Sequence, residues 1–496
     1  MKAVVVGAGL GGLAAALRLQ GAGHDVVVVE QRHAPGGRAG QIRDAGFTWD
    51  TGPSLVTMPW VLEETFAAGG LDLHAEVRLR RLDPLYRIFW AREDEHLDFH
   101  ADRDRMREQI AKFSGRDAAA YDGFLDALRP IYEEGILGAG RRPFLRAREL
   151  AAFVPRMARL GAALPLWRTV ASHFAHPRVR EAFSFHSLFI GGDPFRVPAI
   201  YAALVYLQVI DGGWYTDGGV YSIVEAMARP LDVRTGRRVE RIERSGRRVT
   251  GVLTAGGERI AADAVVSNAD VLTTAGLLGV RRPARPLRPT MSCLLLYLGC
   301  DRRWEHLLHH TLTVGEGFRR FIADVTRRAR LPESISTYVH APARTEPGMA
   351  PPVGDSLAVL MPVPNLRAGL DWAELAGRLR DAVLSYLEGT FGLTGLRASI
   401  RVEHRMDPRD FARELGAVDG NAFAVEPTLH QSAWFRAHNR DGRAQGLYHV
   451  GGGTHPGAGI PGVLLGAEVT AGLVAEDFPA PTGGRVGRGS HAAAAA

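Results

Sequence analysis

An α/β fold built on a doubly wound parallel sheet follows from three features of the 496-residue sequence. Residues 1–30 read as strand, glycine turn, helix and second strand, the connection that neighbouring parallel strands need. Strand-like segments then return far along the chain, at Arg238–Ile242, Val249–Thr254, Ala264–Ser267, 290–300, 356–363 and Leu447–Val450. Between roughly 100 and 225 the apolar residues recur at helical spacing instead, so a helical lobe separates the strand-rich parts.

In the first unit, the apolar strand Ala3–Val6 runs into Gly7-Ala8-Gly9-Leu10-Gly11-Gly12, and Leu13, Ala16, Leu17 and Leu19 mark a helix. A turn at Gly21–Gly23 leads to the strand Val26–Val29, which ends at Glu30. Gly7 permits the tight turn, Gly9 lets a pyrophosphate approach the backbone, and Gly12 lets helix and strand pack closely. The helix N-terminus offers unpaired N–H groups to phosphate, and Glu30 is placed to accept hydrogen bonds from a ribose. These parts in register bind an adenine dinucleotide, and the acid argues against the 2′-phosphate of NADP. Gln31 to Arg38 follow, ending Gly36-Gly37-Arg38. They resemble the extended flavoprotein signature that holds the FAD pyrophosphate; the alternative is a simple basic turn.

In the helical region, Leu150, Phe153, Val154, Met157, Leu160, Leu164 and Trp167 form an apolar stripe within Leu145–Phe174. Arginines flank it, and Pro155 and Pro165 break or kink it. Val197–Ile210 is a strongly apolar run of fourteen residues without a charge, too short to span a bilayer. Both segments are candidates for an interfacial surface or for ordinary core helices. Trp372–Phe391 reads as an amphipathic helix. A second Gly-x-Gly-x-x-Gly lies at 457–462 and is followed by a helical stretch to about Asp477, with no further strand and no ribose acid. It is read as a helix N-terminus, with Pro461 in the first turn, brought back to the same cofactor. Residues 479–496 read as a disordered tail.

Composition narrows the function classes. Apolar residues make up 46% and charged residues 23%, the balance of a folded protein. The net charge is +6, and all basic residues except Lys2 and Lys112 are arginines. Dispersed charge without a recognised motif argues against nucleic acid. Cys293 and Cys300 are too few for a disulfide framework or a four-ligand metal site, and no metal is expected. Seven residues apart on a strand, they should face opposite sides. The N-terminus lacks the pattern of a signal peptide, so a cytoplasmic protein is expected.

A family resemblance rests on Gly46-Phe47-Thr48-Trp49-Asp50-Thr51-Gly52-Pro53-Ser54, on Ala182 to Gly192 with its Phe-Ser-Phe-His stretch, and on Ser267-Asn268-Ala269-Asp270. It continues through Gln431-Ser432-Ala433-Trp434-Phe435-Arg436 and Gly453 to Val463. In this order the segments resemble the bacterial-type phytoene desaturases, FAD-dependent carotenoid desaturases related to flavin amine oxidases. The resemblance implies an FAD-binding Rossmann-type domain assembled from 1–95, 226–285 and 416–478, a helical substrate and membrane-facing lobe over 96–225, and a sheet-containing substrate domain over 286–415. It also implies that Gly7, Gly9, Gly12, Glu30, Gly37 and Arg38 hold the dinucleotide, and that Gly52, Pro53 and Ser54 approach the flavin. Val239 would meet the adenine, Asn268 and Gly453 would complete the cofactor set, and Thr454, Gly462 and Val463 would lie near the isoalloxazine. Two departures stand out. Trp214-Tyr215-Thr216-Asp217-Gly218-Gly219 lacks the family's proline, and Glu149 occupies the place of an Asp proposed for catalysis in relatives.

On this resemblance the expected reaction is stepwise desaturation of phytoene to lycopene or a less desaturated product such as neurosporene. Hydride would pass to the flavin and oxygen or a quinone would be the final acceptor. The lipophilic polyene would be drawn from a membrane surface on which the protein sits peripherally. Glu149 is the candidate acid or base; its alternative role is an N-terminal helix charge or a partner for Arg148. His186 and His455 are read as packed, hydrogen-bonded histidines with catalysis as the alternative. A desaturase of a hydroxylated or shorter-chain carotenoid, a flavin amine oxidase and a flavin-containing carotenoid carrier remain the competing functions.

Overall fold

The computed structural model describes residues 1–280 and 287–479. Its parallel sheet runs, in spatial order, Leu447–His449, Ala264–Ser267, Lys2–Val6, Asp25–Val29 and Asp232–Arg234. Every neighbouring pair is parallel, with Val4 opposite Val27 on one side and Val265 on the other. A parallel sheet is covered on both faces, so its central strands carry continuous valines, Val4–Val6, Val26–Val29 and Val265–Val266, rather than an alternation. Ala3, Val5, Val26 and Val28 pack with the helices Leu10–Gly21 and Ile460–Asp477. Val4, Val6, Val27 and Val29 pack instead on a three-stranded antiparallel sheet, Val239–Ser245, Arg248–Thr254 and Arg259–Ala261. A doubly wound sheet has helices on both faces; here the second layer is this small sheet, whose Val249, Val252 and Ile260 supply the apolar cover.

A second, seven-stranded sheet has the order Ile400–Met406, Ser292–Cys300, Asp355–Val363, Thr337–His340, His310–Thr313, Tyr86–Trp90 and Glu95–Phe99. Its pairs are antiparallel except His310–Thr313 with Tyr86–Trp90. Cys293 and Cys300 both lie on the strand Ser292–Cys300 and are buried in different clusters, on opposite faces as the spacing predicts.

The middle of the chain is helical: Arg103–Ala111, Gly115–Tyr132, Ala147–Arg159, Leu166–His173, Pro177–Ser184 and Ala203–Asp211. Pro165 separates two helices in the Leu145–Phe174 run, whereas Pro155 is accommodated inside Ala147–Arg159. Trp372–Ser385 is α-helical and widens into a π-helical turn over Tyr386–Thr390. Of the predicted tail, only Pro479 falls within the described residues.

Candidate active site

One cavity of about 910 Å³ runs from the glycine loops of the parallel sheet to the face of the seven-stranded sheet, at the upper end of the size of ligand sites. Gly7 ends the strand Lys2–Val6 with φ near 97°, which an L side chain rarely adopts. A Cβ at Gly12 would stand 2.1 Å from the Gly7 carbonyl oxygen, so the loop closes only around glycine. The helix Leu10–Gly21 starts at Gly9 without a side-chain cap, which leaves its N–H groups for a ligand. Glu30, buried at the tip of the neighbouring strand, accepts from the Ala8 amide (2.7 Å) and the Arg32 amide (2.9 Å).

The second glycine segment enters the same cavity. The helix Ile460–Asp477 also starts without a side-chain cap, with Pro461 in its first turn. Asn268 joins the two loops: its Nδ2 reaches the Gly7 carbonyl at 3.4 Å, and a Cβ at Gly451 would stand 2.6 Å from its Oδ1. Two uncapped helix N-termini therefore border one space. A third segment lies over it, because a Cβ at Gly52 would stand 2.1 Å from the Arg38 carbonyl oxygen.

Two guanidinium groups on this wall are incompletely satisfied. Arg38 donates to the Asn421 side-chain oxygen at 3.1 Å, and its buried Nε has no partner. Arg436, 3% exposed, donates to the carbonyls of Gln431, Val425 and Gly452, and its Nε is likewise unpartnered. Burial lowers the pKa of both, a cost that an anionic ligand offsets. The uncapped helices, the glycine cradle, the acid at the strand tip and the two buried guanidinium groups with free Nε atoms together fit an adenine dinucleotide.

The other half of the cavity is apolar, walled by Ile136, Leu188, Phe189, Leu204, Leu207 and Leu312. Its polar atoms come mostly paired. The Tyr86 hydroxyl bonds to His186 Nε2 (2.7 Å) and Gln208 Oε1 (2.8 Å), and the Ser54 hydroxyl bonds to that of Tyr338. Burial pushes His186 down to about 3 and His455 to about 4, so both are neutral. His455 Nε2 is spent on the Ala139 carbonyl (2.9 Å). Neither histidine lines the cavity, in keeping with packed roles.

Among the sequence-predicted residues, Gly7, Gly9, Glu30, Gly37, Arg38, Gly52, Pro53, Ser54, Val239, Asn268, Gly462 and Val463 all line this cavity. Gly12, Gly453 and Thr454 stand behind it; the Thr454 hydroxyl donates to the Gly451 carbonyl (2.8 Å) and so folds the loop. Glu149 is not on the wall. Its Oε2 accepts from the amides of Leu145 (2.7 Å) and Arg146 (3.0 Å) at the start of the helix Ala147–Arg159, the helix-end role. Val197–Ile210 is corrected from a candidate surface to an interior wall: Ala203, Val205 and Leu207 are buried, and only Ile210 is strongly exposed. Without the family's proline, Tyr215 and Gly219 are held by Asp50, which accepts from the Tyr215 hydroxyl (2.8 Å) and the Val220 amide (2.9 Å).

Sequence reasoning missed Tyr86, Gln208, His310, Tyr338 and Arg436, which line the cavity. Arg436 was within reach, as a cation at the end of a family segment, Gln431 to Arg436, that contains no carboxylate. His309, His310 and His340 form a buried cluster with ring nitrogens within 4.8 Å of one another. No carboxylate or thiolate belongs to it, and His309 and His340 share a hydrogen bond between their Nε2 atoms (3.1 Å).

The fold and cavity define a dinucleotide-dependent oxidoreductase. Residues 10–475 match the family described as flavin containing amine oxidoreductase. The lycopene-forming phytoene desaturase of Pantoea ananas is 41% identical over 489 residues, covering 96% of this chain and 99% of that one. The neurosporene-forming phytoene desaturase of Cereibacter sphaeroides is 34% identical, covering 96% and 95%. The putrescine oxidase structure with bound putrescine shares the fold, at a TM-score of 0.64 and 15% identity over 97% of this chain and 100% of that one. The chain belongs to the flavin containing amine oxidoreductases and, within them, to the bacterial-type phytoene desaturase family. It is an FAD-dependent oxidoreductase.

Proposed function

We propose that this protein desaturates phytoene in successive steps to lycopene or a less desaturated product such as neurosporene. The observation that carries the reading is the single cavity that joins a glycine-lined, anion-seeking half to an apolar half. The carboxylates on its wall, Glu30, Asp270 and Glu414, belong to the glycine-lined half. An ammonium substrate therefore finds no counter-ion on the apolar wall, whereas a hydrocarbon needs none.

Glu30 would hold the ribose, Gly7, Gly9, Gly37, Arg38 and Arg436 the pyrophosphate, Val239 the adenine, and Ser54, Gly462 and Val463 the flavin ring. Gly12, Gly453 and Thr454 support this set by shaping its loops. Bound FAD supplies the acceptor for two electrons leaving a saturated C–C bond as hydride. Leu188, Phe189, Leu204, Leu207 and Leu312 hold the polyene in line and exclude water from it, and the hydroxyl pairs at Tyr86 and Tyr338 keep polar atoms from facing it unpartnered. The FAD lobe draws on 1–81, 226–280 and 416–478; the strands Tyr86–Trp90 and Glu95–Phe99, which the expected boundary at 95 gave to that lobe, join 287–415 in the substrate sheet instead, and 100–225 supplies the helical lobe.

We assign membrane docking to the helix Ala147–Arg159 and its neighbourhood. Leu137, Val154 and Leu164 are exposed there beside Arg148, Arg156 and Arg159, a pairing suited to an anionic interface. Arg156 Nη2 to Glu134 (3.1 Å) ties this helix to the segment whose Gly135 and Ile136 line the cavity. Among the described residues no helix is long and apolar enough to cross a membrane. Oxygen or a membrane quinone reoxidises the flavin. The test is expression in a host that accumulates phytoene, with a Gly9→Trp variant as control. Coloured polyene formed only by the intact protein supports the reading, and its absorption bands count the new double bonds. Unchanged phytoene beside FAD-loaded protein refutes it.

A further inference from the structure

We propose that the Phe318 side chain closes the portal through which the polyene passes between the cavity and an anionic membrane surface; the inference rests on the desaturase reading and names the route its substrate takes. Phe318 is 6% exposed and lines the cavity together with Val314, Phe321 and Ile322. It also lines a surface recess of about 790 Å³ and is the residue common to the two spaces. The wall between inside and outside is therefore one ring thick at this point. The floor that leads to it is a face of the seven-stranded sheet. Leu312, Tyr338 and Leu360 stand side by side across three strands, with Tyr338 bonded to Ser54 on the glycine-lined side. Val314, about 7 Å beyond Leu312 along the chain, extends the cavity wall toward Phe318.

The partition is held by ring contacts. Phe318 follows Gly317, whose φ is near 66°, and opens the short helix Phe318–Ala323. Opposite it stand two rings of the helical lobe, Trp167 at 6.4 Å and Phe195 at 6.2 Å between centroids, themselves 4.8 Å apart. No hydrogen bond joins these three side chains, so turning the Phe318 ring aside opens the cavity at the expense of dispersion contacts alone. The junction also adjoins the docking face described above. Trp167 comes three residues after the exposed Leu164, and its amide donates to the Pro194 carbonyl (2.9 Å), next to Phe195.

The rim of the recess supplies charge. Arg319, Arg320, Arg327 and Arg328 line it, and all four are exposed. Arg319 lies over the Phe195 ring, 4.4 Å from its centroid, and forms no ion pair among the described residues. Arg327 faces Asp193 (3.3 Å), Arg328 and Arg330 share the buried Asp324 (3.1 and 2.8 Å), and Arg320 meets Glu333. Glu181, the acid of the recess itself, is held by Arg178 (3.2 Å) and the Trp90 indole N–H (2.7 Å). Five arginines against Asp193, Asp324 and Glu333 leave the rim positive. A hydrocarbon gains nothing from that charge, whereas the phosphates of an anionic bilayer do, and the aromatic mouth between them suits the boundary of headgroup and acyl chain.

The test uses the full-length FAD-loaded protein with phytoene in phosphatidylcholine vesicles, with and without phosphatidylglycerol. Phe318→Cys places a thiol at the partition, while Cys293 and Cys300 are buried and their thiols pushed up by burial, so they react slowly. A bulky charged methanethiosulfonate added from water should label position 318. The labelled protein should keep its FAD absorbance and photoreduction, lose about 10-fold or more in phytoene uptake and turnover, and regain both with dithiothreitol. Trp167→Cys, labelled from the other side of the same junction, should show the same reversible block. Arg319→Gln combined with Arg320→Gln should raise KM about 10-fold on vesicles containing phosphatidylglycerol, leave kcat within about twofold, and change nothing on pure phosphatidylcholine. Thiols at both positions that do not react, labelled proteins that take up phytoene within about threefold of the unlabelled ones, or a block that dithiothreitol does not lift overturns the portal. A doubly substituted arginine variant that matches wild type on phosphatidylglycerol overturns the anionic surface. A wild type that leaves phytoene unchanged removes the desaturase reading and this inference with it; an active wild type beside labelled variants that are equally active removes the inference alone.

Discussion

Glu149 separates two explanations of one carboxylate. Its Oε2 takes both amide hydrogen bonds at the start of the helix Ala147–Arg159, so the energetic consequence of replacement depends on what keeps an oxygen there. Glutamine preserves an acceptor and loses only the charge favoured at a helix N-terminus, about 0.3–1 kcal/mol. Alanine also abandons two amides, for a total of about 1–2 kcal/mol. Urea denaturation of FAD-loaded protein, followed by intrinsic fluorescence, should rank wild type above Glu149→Gln above Glu149→Ala. Initial desaturation rates per bound FAD should stay within about twofold for both, because the side chain is not on the cavity wall. A stable, FAD-loaded Glu149→Gln protein with turnover down about 100-fold would falsify this reasoning and make the carboxylate a chemical participant.

Four further outcomes are expected. Gly12→Ala forces a Cβ to 2.1 Å from the Gly7 carbonyl and Gly52→Ala does the same against the Arg38 carbonyl; each should abolish flavin absorbance, and a normal FAD content in either would contradict the close-approach argument. Arg436→Met, which removes a buried cation left without a carboxylate, should weaken FAD about 10- to 100-fold in titrations of the apoprotein while leaving the fold intact by circular dichroism, on the scale of a charge-assisted hydrogen bond. Stability should fall as pH drops from 7 to 5. His186, His310 and His455 stay neutral when folded, down to about 3, 4 and 4, but protonate near 6.5 when unfolded, a loss of about 2 kcal/mol each. Asp355, raised to about 6 by burial, binds its proton earlier in the folded state and offsets roughly one of these. A urea midpoint that is flat across this interval would show that these side chains are not buried in the neutral form. Finally, Val154→Asp with Leu164→Asp should reduce sedimentation with anionic vesicles without changing FAD content; undiminished binding would place the docking surface elsewhere.

The flavin-binding half was readable because each part of it is local. Gly7–Gly12 and Glu30 occupy one βαβ unit, and the second glycine segment, Gly457–Gly462, leads into a helix after which no strand follows among the described residues, in keeping with its assignment to an existing site. The substrate half was not readable in the same way. His310 meets His340 through strand register, and Tyr86 meets His186 through packing of the helical lobe on the sheet edge. No spacing along the chain encodes either meeting. Val197–Ile210 and Leu145–Phe174 look alike as uncharged or amphipathic runs, yet one is a cavity wall and the other carries exposed Val154 and Leu164; which face is covered depends on the partner, not on the run. Glu149 shows the same ambiguity at one residue, since an acid three positions into a helix serves capping and chemistry equally well in sequence.

Asn268 stands where the first glycine loop and the last one meet, with Gly451 pressed against its side chain and the helices Leu10–Gly21 and Ile460–Asp477 packed side by side. The coenzyme compartment is thus closed by two segments far apart in the chain, around residues 7–12 and 451–462. A ribosome-bound chain has half a compartment until the helix Ile460–Asp477 emerges. Flavin capture consequently reports that both segments have folded together, and a chain stopped before residue 451 keeps an open compartment however well its earlier strands have formed.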